Sequence, residues 1–162
     1  FCFDSLSSQD VIDQIKKENY DVGFVYGTSK LNKNFIANFN APLYNFHGGD
    51  TERYRGLDSH FWAIYHKDIN GLILTMHLVD EILDNGDIIF KTRLPLSKEL
   101  ELFKLRSVTT YECVNLTKIV INCFENSIPL PRKPQHKIGR YYSSIPLELI
   151  SKCQTNFIKM LF

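Results

Sequence analysis

Residues 41–49, with the sequence APLYNFHGG, combine an apolar run with a polar end and two glycines. The apolar run predicts a buried β-strand over residues 41–46. Because side chains alternate along a strand, we expect Asn45 and His47 to project from the same face of the sheet. Polar side chains at the end of a buried strand favour a ligand site, so this stretch predicts both the sheet and the position of its site.

Apolar strands alternate with helical patterns on both sides of this stretch. Such alternation predicts an α/β sheet with helices on both faces, in which ligands bind at the carboxyl ends of strands. Asp84 follows the next predicted strand, so we expect it to meet Asn45 and His47 where adjacent strands end. The other predicted elements are strands over residues 21–27, 71–79 and 88–96, and helices over residues 11–19, 31–36, 59–65, 107–124 and 146–162.

The first residues carry two further expectations. Ser7 and Ser8 supply hydroxyl groups that can cap the first helix. Phe1, Cys2 and Phe3 are typical of the end of a buried strand, and the first residue is not methionine.

The composition is that of one globular domain of ordinary size. The 162 residues are 44% hydrophobic and 23% charged, and the formal net charge is +1. This balance creates no overall field that would attract nucleic acid or an acidic membrane, and the basic residues do not cluster. Neither a nucleic acid nor a membrane is therefore expected as a partner.

The sequence also argues against a metal site or a membrane span. The histidines and acidic residues contain no close ligand pair with a recognised metal signature. Cys2, Cys113, Cys123 and Cys153 are scattered, with no spacing typical of zinc or redox motifs. No apolar run approaches the roughly 18 residues that a membrane-spanning helix needs. We expect a cytoplasmic protein without a metal.

Asn45, His47 and Asp84 have side chains suited to chemistry at a carbonyl group. An asparagine amide can donate a hydrogen bond to a carbonyl oxygen that is becoming an oxyanion. An imidazole can exchange a proton near neutral pH. Asp84 precedes a glycine turn, where its carboxylate could orient His47 or bind a water. Each residue also has a plain structural interpretation: a capping Asn, a surface His and an Asx-turn carboxylate.

Arg55 lies between His47 and the predicted helix over residues 59–65. Its guanidinium group can pair with an anionic ligand through bidentate geometry, or it can brace Asp50 or Asp58. No Gly-x-Ser-x-Gly, GxGxxG or P-loop sequence is present, so a serine-hydrolase elbow and the usual nucleotide cradles have no support.

Five short motifs occur in a specific order along the chain. They are Asn45-Phe46-His47, Arg55-Gly56, Trp62-Ala63-Ile64, Thr75-Met76-His77 and Leu83-Asp84-Asn85-Gly86-Asp87-Ile88-Ile89. This order resembles the folate-dependent formyltransferase family, which includes methionyl-tRNA formyltransferase, glycinamide ribonucleotide transformylase and the sugar N-formyltransferases. Residues 20–27 are also similar to the family's strand before the first motif.

The resemblance implies a Rossmann-like formyltransferase sheet and transfer of a formyl group from 10-formyltetrahydrofolate to a primary amine. Asn45 would hydrogen-bond the formyl oxygen, His47 would stabilise the intermediate and move its proton, and Asp84 would orient His47 or a relay water. The loop over residues 79–84 would wrap the pterin ring. The implied cofactor-binding residues are Val79, Asp80, Ile82, Leu83 and Asp84, and the implied substrate-binding residues are Gly48, Gly49, Tyr54 and Arg55.

Two features depart from the family pattern. Many members carry a Ser-Leu-Leu-Pro-like stretch after the histidine, where this chain has GGDTERY over residues 48–54. The loop near the acceptor is therefore different from that of the family, and the resemblance leaves the acceptor open. The family also begins with a strand-helix-strand region that precedes residue 1. Without it, the strand over residues 21–27 would be an unpaired edge, so we expect the natural protein to be longer at its amino terminus.

The chain divides at its proline-rich region. Residues 128–139 contain three of the six prolines. We therefore interpret residues 1–127 as a partial formyltransferase core and residues 128–162 as a Pro-rich linker with a helical tail.

A nucleotide-linked amino sugar is the preferred acceptor, because residues 135–144, QHKIGRYYSS, look like tail segments of sugar-modifying members. Glycinamide ribonucleotide is the second choice, and tRNA is disfavoured by the lack of a basic surface signal. A formyltetrahydrofolate hydrolase and a non-catalytic folate- or nucleotide-binding module stay open as alternatives. A homodimer also stays open.

Overall fold

The structure is a computed structural model that describes residues 5, 6 and 8–162. The strand end predicted at Phe1, Cys2 and Phe3 and the hydroxyl group of Ser7 lie outside the described residues. The strands are β1 (Gly23–Tyr26), β2 (Leu43–His47), β3 (Tyr54–Gly56), β4 (Ile73–Leu78), β5 (Ile88–Arg93) and β6 (Arg140–Tyr142). The α-helices are α1 (Gln9–Lys17), α2 (Lys33–Asn38), α3 (Ser59–Tyr65), α4 (Leu105–Glu125) and α5 (Ile150–Leu161).

The main sheet has four strands in the order β1-β2-β4-β5. β1 and β2 run parallel, whereas β4 runs antiparallel to both of its neighbours. A second, two-stranded sheet pairs β3 with β6 in parallel. The α/β architecture predicted from the sequence is confirmed, and each strand of the main sheet lies within or one residue beyond its predicted range.

The antiparallel direction of β4 corrects one expectation. Tyr44 pairs with Leu78 and His47 pairs with Thr75, so β4 ends beside the start of β2 and not beside its end. The amide of Val79 donates to the carbonyl oxygen of Leu43 at 2.8 Å, which fixes the chain at that point. Asn45 and Asp84 therefore do not meet at adjacent strand ends. The loop after β4 must turn back along the sheet to reach Asn45.

Helices cover both faces of the main sheet. Tyr44 and Phe46 of β2 belong to the larger hydrophobic cluster, which includes Leu116 and Val120 of α4. Leu43 points the other way and belongs to a smaller cluster with residues of α1 and α2. The period of two along β2 therefore places apolar residues on both faces, and it leaves Asn45 and His47 on the face of the smaller cluster.

Residues beyond 128 are packed onto the rest of the chain. α5 packs against α3, and Asn156 Nδ2 donates to the carbonyl oxygens of Ile64 and Tyr65, each at 3.1 Å. β6 was not predicted, because three residues are too few to show alternation and two of its side chains are exposed. β3 was missed for the same reason of length. The division of the chain at residue 128 stays a prediction.

The described cysteines Cys113, Cys123 and Cys153 are free thiols. Burial raises the pKa of Cys113 to about 12, so this thiol is a core side chain and not a nucleophile. Across residues 5, 6 and 8–162, no helix has the length and apolar character that crossing a membrane requires.

Candidate active site

β2 places Asn45 and His47 at one end of a pocket. His47 is buried, and its Nε2 lies 2.7 Å from the carbonyl oxygen of Tyr54. A carbonyl oxygen only accepts hydrogen bonds, so Nε2 carries the hydrogen and Nδ1 holds the lone pair. That Nδ1 lies 3.5 Å from Oδ2 of Asp84. The imidazole is therefore oriented by the backbone of β3, with its basic nitrogen facing the carboxylate.

The site loop, residues 79–87, turns back after β4 and brings Asp84 to these two side chains. Asp84 has a left-handed φ of 53°, and its Oδ2 accepts a hydrogen bond of 2.8 Å from the amide of Gly56. Gly86 approaches β4 so closely that a Cβ atom there would lie 1.9 Å from the carbonyl oxygen of Leu78. The return of the loop thus requires glycine at position 86.

Asn45 is half-buried and contacts the buried side chains of His77 and Asp84. Its Nδ2 is 3.1 Å from His77 Nε2 and 3.3 Å from Asp84 Oδ1, and these two acceptors are 3.6 Å apart. His77 Nδ1 lies 2.7 Å from the carbonyl oxygen of Leu78, so Nδ1 carries the hydrogen and Nε2 accepts from Asn45. The carboxamide is therefore held with its nitrogen toward His77 and Asp84.

The charges of the site follow from its burial. Burial alone would raise the pKa of the Asp84 carboxyl, but the imidazoles of His77 and His47 and the Gly56 amide together lower it. Burial lowers the pKa of His47, and the nearby Asp84 carboxylate only partly opposes this. Near neutral pH the site therefore holds an ionised Asp84 and a neutral His47 with a free lone pair.

The pocket in front of this cluster has a volume of about 730 Å³. Asn45, His47, His77 and Asp84 line one end of it, together with Gly48. Its apolar wall comes from both the site loop and the region around β1 and α2. The residues of that wall are Val25, Leu31, Ile36, Val79 and Ile82. Asp80 and Leu83 also line the pocket, so all five residues predicted to bind the cofactor face it.

Three of the four predicted substrate-binding residues lie behind the pocket lining. Gly49 accepts a hydrogen bond from Thr75 Oγ1 at 2.6 Å through its carbonyl oxygen. Tyr54 is buried and donates its hydroxyl hydrogen to Asp68 at 2.9 Å. The Arg55 guanidinium donates to the carbonyl oxygen of Leu83, with its Nε at 2.9 Å. These contacts hold the walls of the site.

His77 and His60 also lie in the candidate site, and neither was predicted from the sequence as a site residue. In the sequence His77 is part of the motif Thr75-Met76-His77. Only the strand register shows that it lies opposite Asn45. His60 also lines the pocket, and its Nε2 donates to the carbonyl oxygen of Ile73 at 2.7 Å. Burial lowers the pKa of His60 to about 4. Within the described ranges, no group of three or more His, Cys, Asp or Glu residues is arranged to hold a metal ion.

The chain matches the family model described as formyl transferase over residues 3–112. That match covers more than half of the chain, and the chain therefore belongs to the formyl transferase family. The five ordered motifs and the α/β fold predicted from them agree with this assignment.

Solved formyltransferases share the fold. A 4-N formyltransferase from Francisella tularensis is 23% identical with a TM-score of 0.67, and the alignment covers 93% of this chain. The chain spans 63% of the length of that enzyme.

Two further structures contain bound ligands. One is PseJ from Anoxybacillus kamchatkensis, in complex with UDP-4,6-dideoxy-4-formamido-L-AltNAc and tetrahydrofolate. It is 19% identical with a TM-score of 0.70, and the alignment covers 89% of this chain and 77% of the PseJ chain. An N-formyltransferase from Helicobacter canadensis, in complex with folinic acid and dTDP-3-aminofucose, is 22% identical with a TM-score of 0.56. The alignment covers 74% of this chain and 44% of that enzyme.

Proposed function

We propose that this chain transfers a formyl group from 10-formyltetrahydrofolate to the primary amine of a nucleotide-linked amino sugar. The observation that carries the proposal is the cluster of Asn45, His47 and Asp84 at one end of the pocket, in a chain of the formyl transferase family. Each of the three groups has a distinct task in such a reaction.

Asn45 supplies the hydrogen bond to the formyl oxygen. His77 Nε2 and Asp84 Oδ1 are 3.6 Å apart, so a single N–H of Asn45 directed between them can be shared by both acceptors. The second N–H of the trigonal amide then points away from them. This donor is held in place before reaction, which is the condition under which it stabilises developing negative charge most strongly.

His47 and Asp84 handle the proton. The free lone pair of His47 is on Nδ1, because Nε2 donates to Tyr54. Nδ1 can accept the hydrogen that the attacking amine loses, and the imidazolium formed lies 3.5 Å from the Asp84 carboxylate. The positive charge is thereby stabilised until the proton is passed to the departing nitrogen.

The pocket is suited to a reduced pterin. Its apolar wall, formed by Val25, Leu31, Ile36, Val79 and Ile82, offers contact to a flat ring. The donor supplies an activated formyl group on nitrogen. All the proton transfers and the oxyanion contact come from the side chains already named.

The sugar acceptor is supported by the related structures. PseJ and the Helicobacter canadensis enzyme are described in complex with nucleotide-linked sugars, and each complex also holds a tetrahydrofolate compound. Free thiols at Cys113 and Cys153 accord with a reducing compartment, and we place the reaction in the cytoplasm.

Calorimetric binding of 5-formyltetrahydrofolate, a stable form of the donor, tests the proposed pocket. The protein should bind it, and Asp84→Ala should weaken binding at least tenfold. Asp21→Ala is the matched control, because Asp21 is an exposed carboxylate before β1 that does not line the pocket. A folded wild-type protein that does not bind would contradict the folate assignment. Formate release without an added amine would identify a hydrolase instead.

A further inference from the structure

Gln135 contacts the site loop from outside the part of the chain that matches the family model. Its Nε2 donates to the carbonyl oxygen of Asp84 at 3.1 Å and to that of Gly86 at 2.8 Å. Gln135 Oε1 is buried and has no hydrogen-bond partner among the residues that the structure describes. The side chain therefore serves as a double donor to the two carbonyls on either side of the turn.

The backbone next to Gln135 is fixed to the sheet. Lys133 and Ile88 exchange two backbone hydrogen bonds, at 2.8 and 3.0 Å. Arg132 also pairs with Asp87, at 2.5 Å. The amide of Gln135 is thus presented to the site loop by a segment that is itself attached to the start of β5.

The left-handed backbone of Asp84 has to be held by contacts with neighbouring residues. A non-glycine residue in the left-handed region is strained, so the loop would relax unless neighbouring contacts hold it. Relaxation would rotate the carboxylate away from Asn45 and His47. The two bonds from Gln135 act on the backbone of Asp84 and Gly86, while the amide of Gly56 acts on the side chain of Asp84.

We propose that Gln135 is a positioning residue that holds the Asp84 carboxylate against Asn45 and His47. The effect on turnover rests on the proposed function, whereas the effect on Asp84 itself does not. Gln135 touches none of the reacting groups, so its contribution passes entirely through the backbone of residues 84–86.

Two variants of Gln135 test this role. Gln135→Glu keeps the size of the side chain but directs a carboxylate, which cannot donate, at the two carbonyls. Gln135→Leu removes both donors without adding charge. The control is Gln154→Leu, which makes the same chemical change on the exposed face of α5. Circular dichroism and thermal unfolding establish that each variant is folded.

The first readout is hydrogen exchange of the Gly56 amide, which donates to Asp84 Oδ2 at 2.8 Å. We expect about tenfold faster exchange in both Gln135 variants and no change in Gln154→Leu. This readout needs no activity, so it stands even if the wild-type protein fails to transfer a formyl group.

The second readout is steady-state transfer with the wild-type protein as reference. A displaced Asp84 should lower kcat about 10- to 100-fold, while the KM for the amine stays within about threefold. Faster Gly56 exchange with wild-type kcat would overturn the positioning role in catalysis. Wild-type exchange and wild-type kcat in either folded variant would overturn the proposal altogether. An inactive wild-type protein would count against the proposed function and leave the exchange result to decide the placement of Asp84.

Discussion

Asn45 and His77 face each other across β2 and β4, with Asn45 Nδ2 3.1 Å from His77 Nε2. His77 is 2% exposed, and its other ring nitrogen donates to the carbonyl oxygen of Leu78. The imidazole is therefore fixed in one orientation. Its one acceptor nitrogen, Nε2, lies within hydrogen-bond distance of the Asn45 amide. This relationship determines which side of the carboxamide faces the pocket.

Replacement of His77 should reduce turnover through Asn45. In His77→Ala the carboxamide loses the nearer of its two acceptors and keeps only Asp84, so it is held less firmly. We expect kcat to fall about 10- to 100-fold with little change in the KM of the donor. Steady-state kinetics with both substrates measure this split. His66→Ala is the control, because His66 is an exposed histidine at the end of α3. Equal losses in the two variants would contradict the role of His77.

Asn45→Ala should impair the transition state more than binding. An oxyanion donor acts chiefly as charge develops, and its removal costs on the order of 3 kcal/mol, or 10²- to 10³-fold in kcat. Single-turnover rates and the Kd for 5-formyltetrahydrofolate separate the two effects. A large loss of affinity with turnover retained would show that Asn45 is a binding group.

Asp84→Asn should move the acid limb of the pH–rate profile to lower pH. Burial lowers the pKa of His47 and the Asp84 carboxylate opposes this effect, so removal of the carboxylate lowers the pKa of His47 further. Because the reaction requires neutral His47, activity should then persist to lower pH while its maximum falls. Profiles of kcat/KM for both forms measure the shift. A shift toward higher pH would contradict the electrostatic assignment.

The protein should lose stability as the pH falls from 6.5 to 4, partly because of His60. The pKa of His60 is lowered from 6.5 to about 4 by burial, so the unfolded chain binds this proton at a higher pH than the folded chain. The contribution of neutral His60 to the free energy of unfolding is fully present above pH 6.5, and about 3 kcal/mol of it is lost by pH 4. Denaturant unfolding of wild type and His60→Gln measures it. An equally steep pH dependence in His60→Gln would exclude His60 as a source.

Much of the fold could be predicted because its strands carry strong apolar patterns. The patterns of β2 and β4 are clear, and the ordered motifs related them to a known family. Strand direction could not be predicted from these patterns, because a period of two is the same whichever way a strand runs. The antiparallel course of β4 was therefore not foreseen. β3 and β6 were missed because three residues show no period.

The candidate site could be predicted in part, where one local stretch contained the side chains proposed for it. Asn45 and His47 share a strand face, and the glycine turn after Asp84 indicated a sharp bend. The roles of His77 and Gln135 depend on contacts between distant segments. His77 meets Asn45 through strand register, and Gln135 reaches the site loop from an irregular proline-rich segment, where no sequence period predicts contact.

We propose that His47, beside Asn45 and Asp84, passes a proton during formyl transfer to an amino sugar. The most direct measurement is mass spectrometry of nucleotide-linked amino sugars incubated with 10-formyltetrahydrofolate and either wild type or His47→Ala. We predict an N-formylated sugar with wild type and a rate at least 10²-fold lower with the folded variant. Equal rates in the two proteins, or no formylated amine with a folded wild type that binds the folate, would contradict the account.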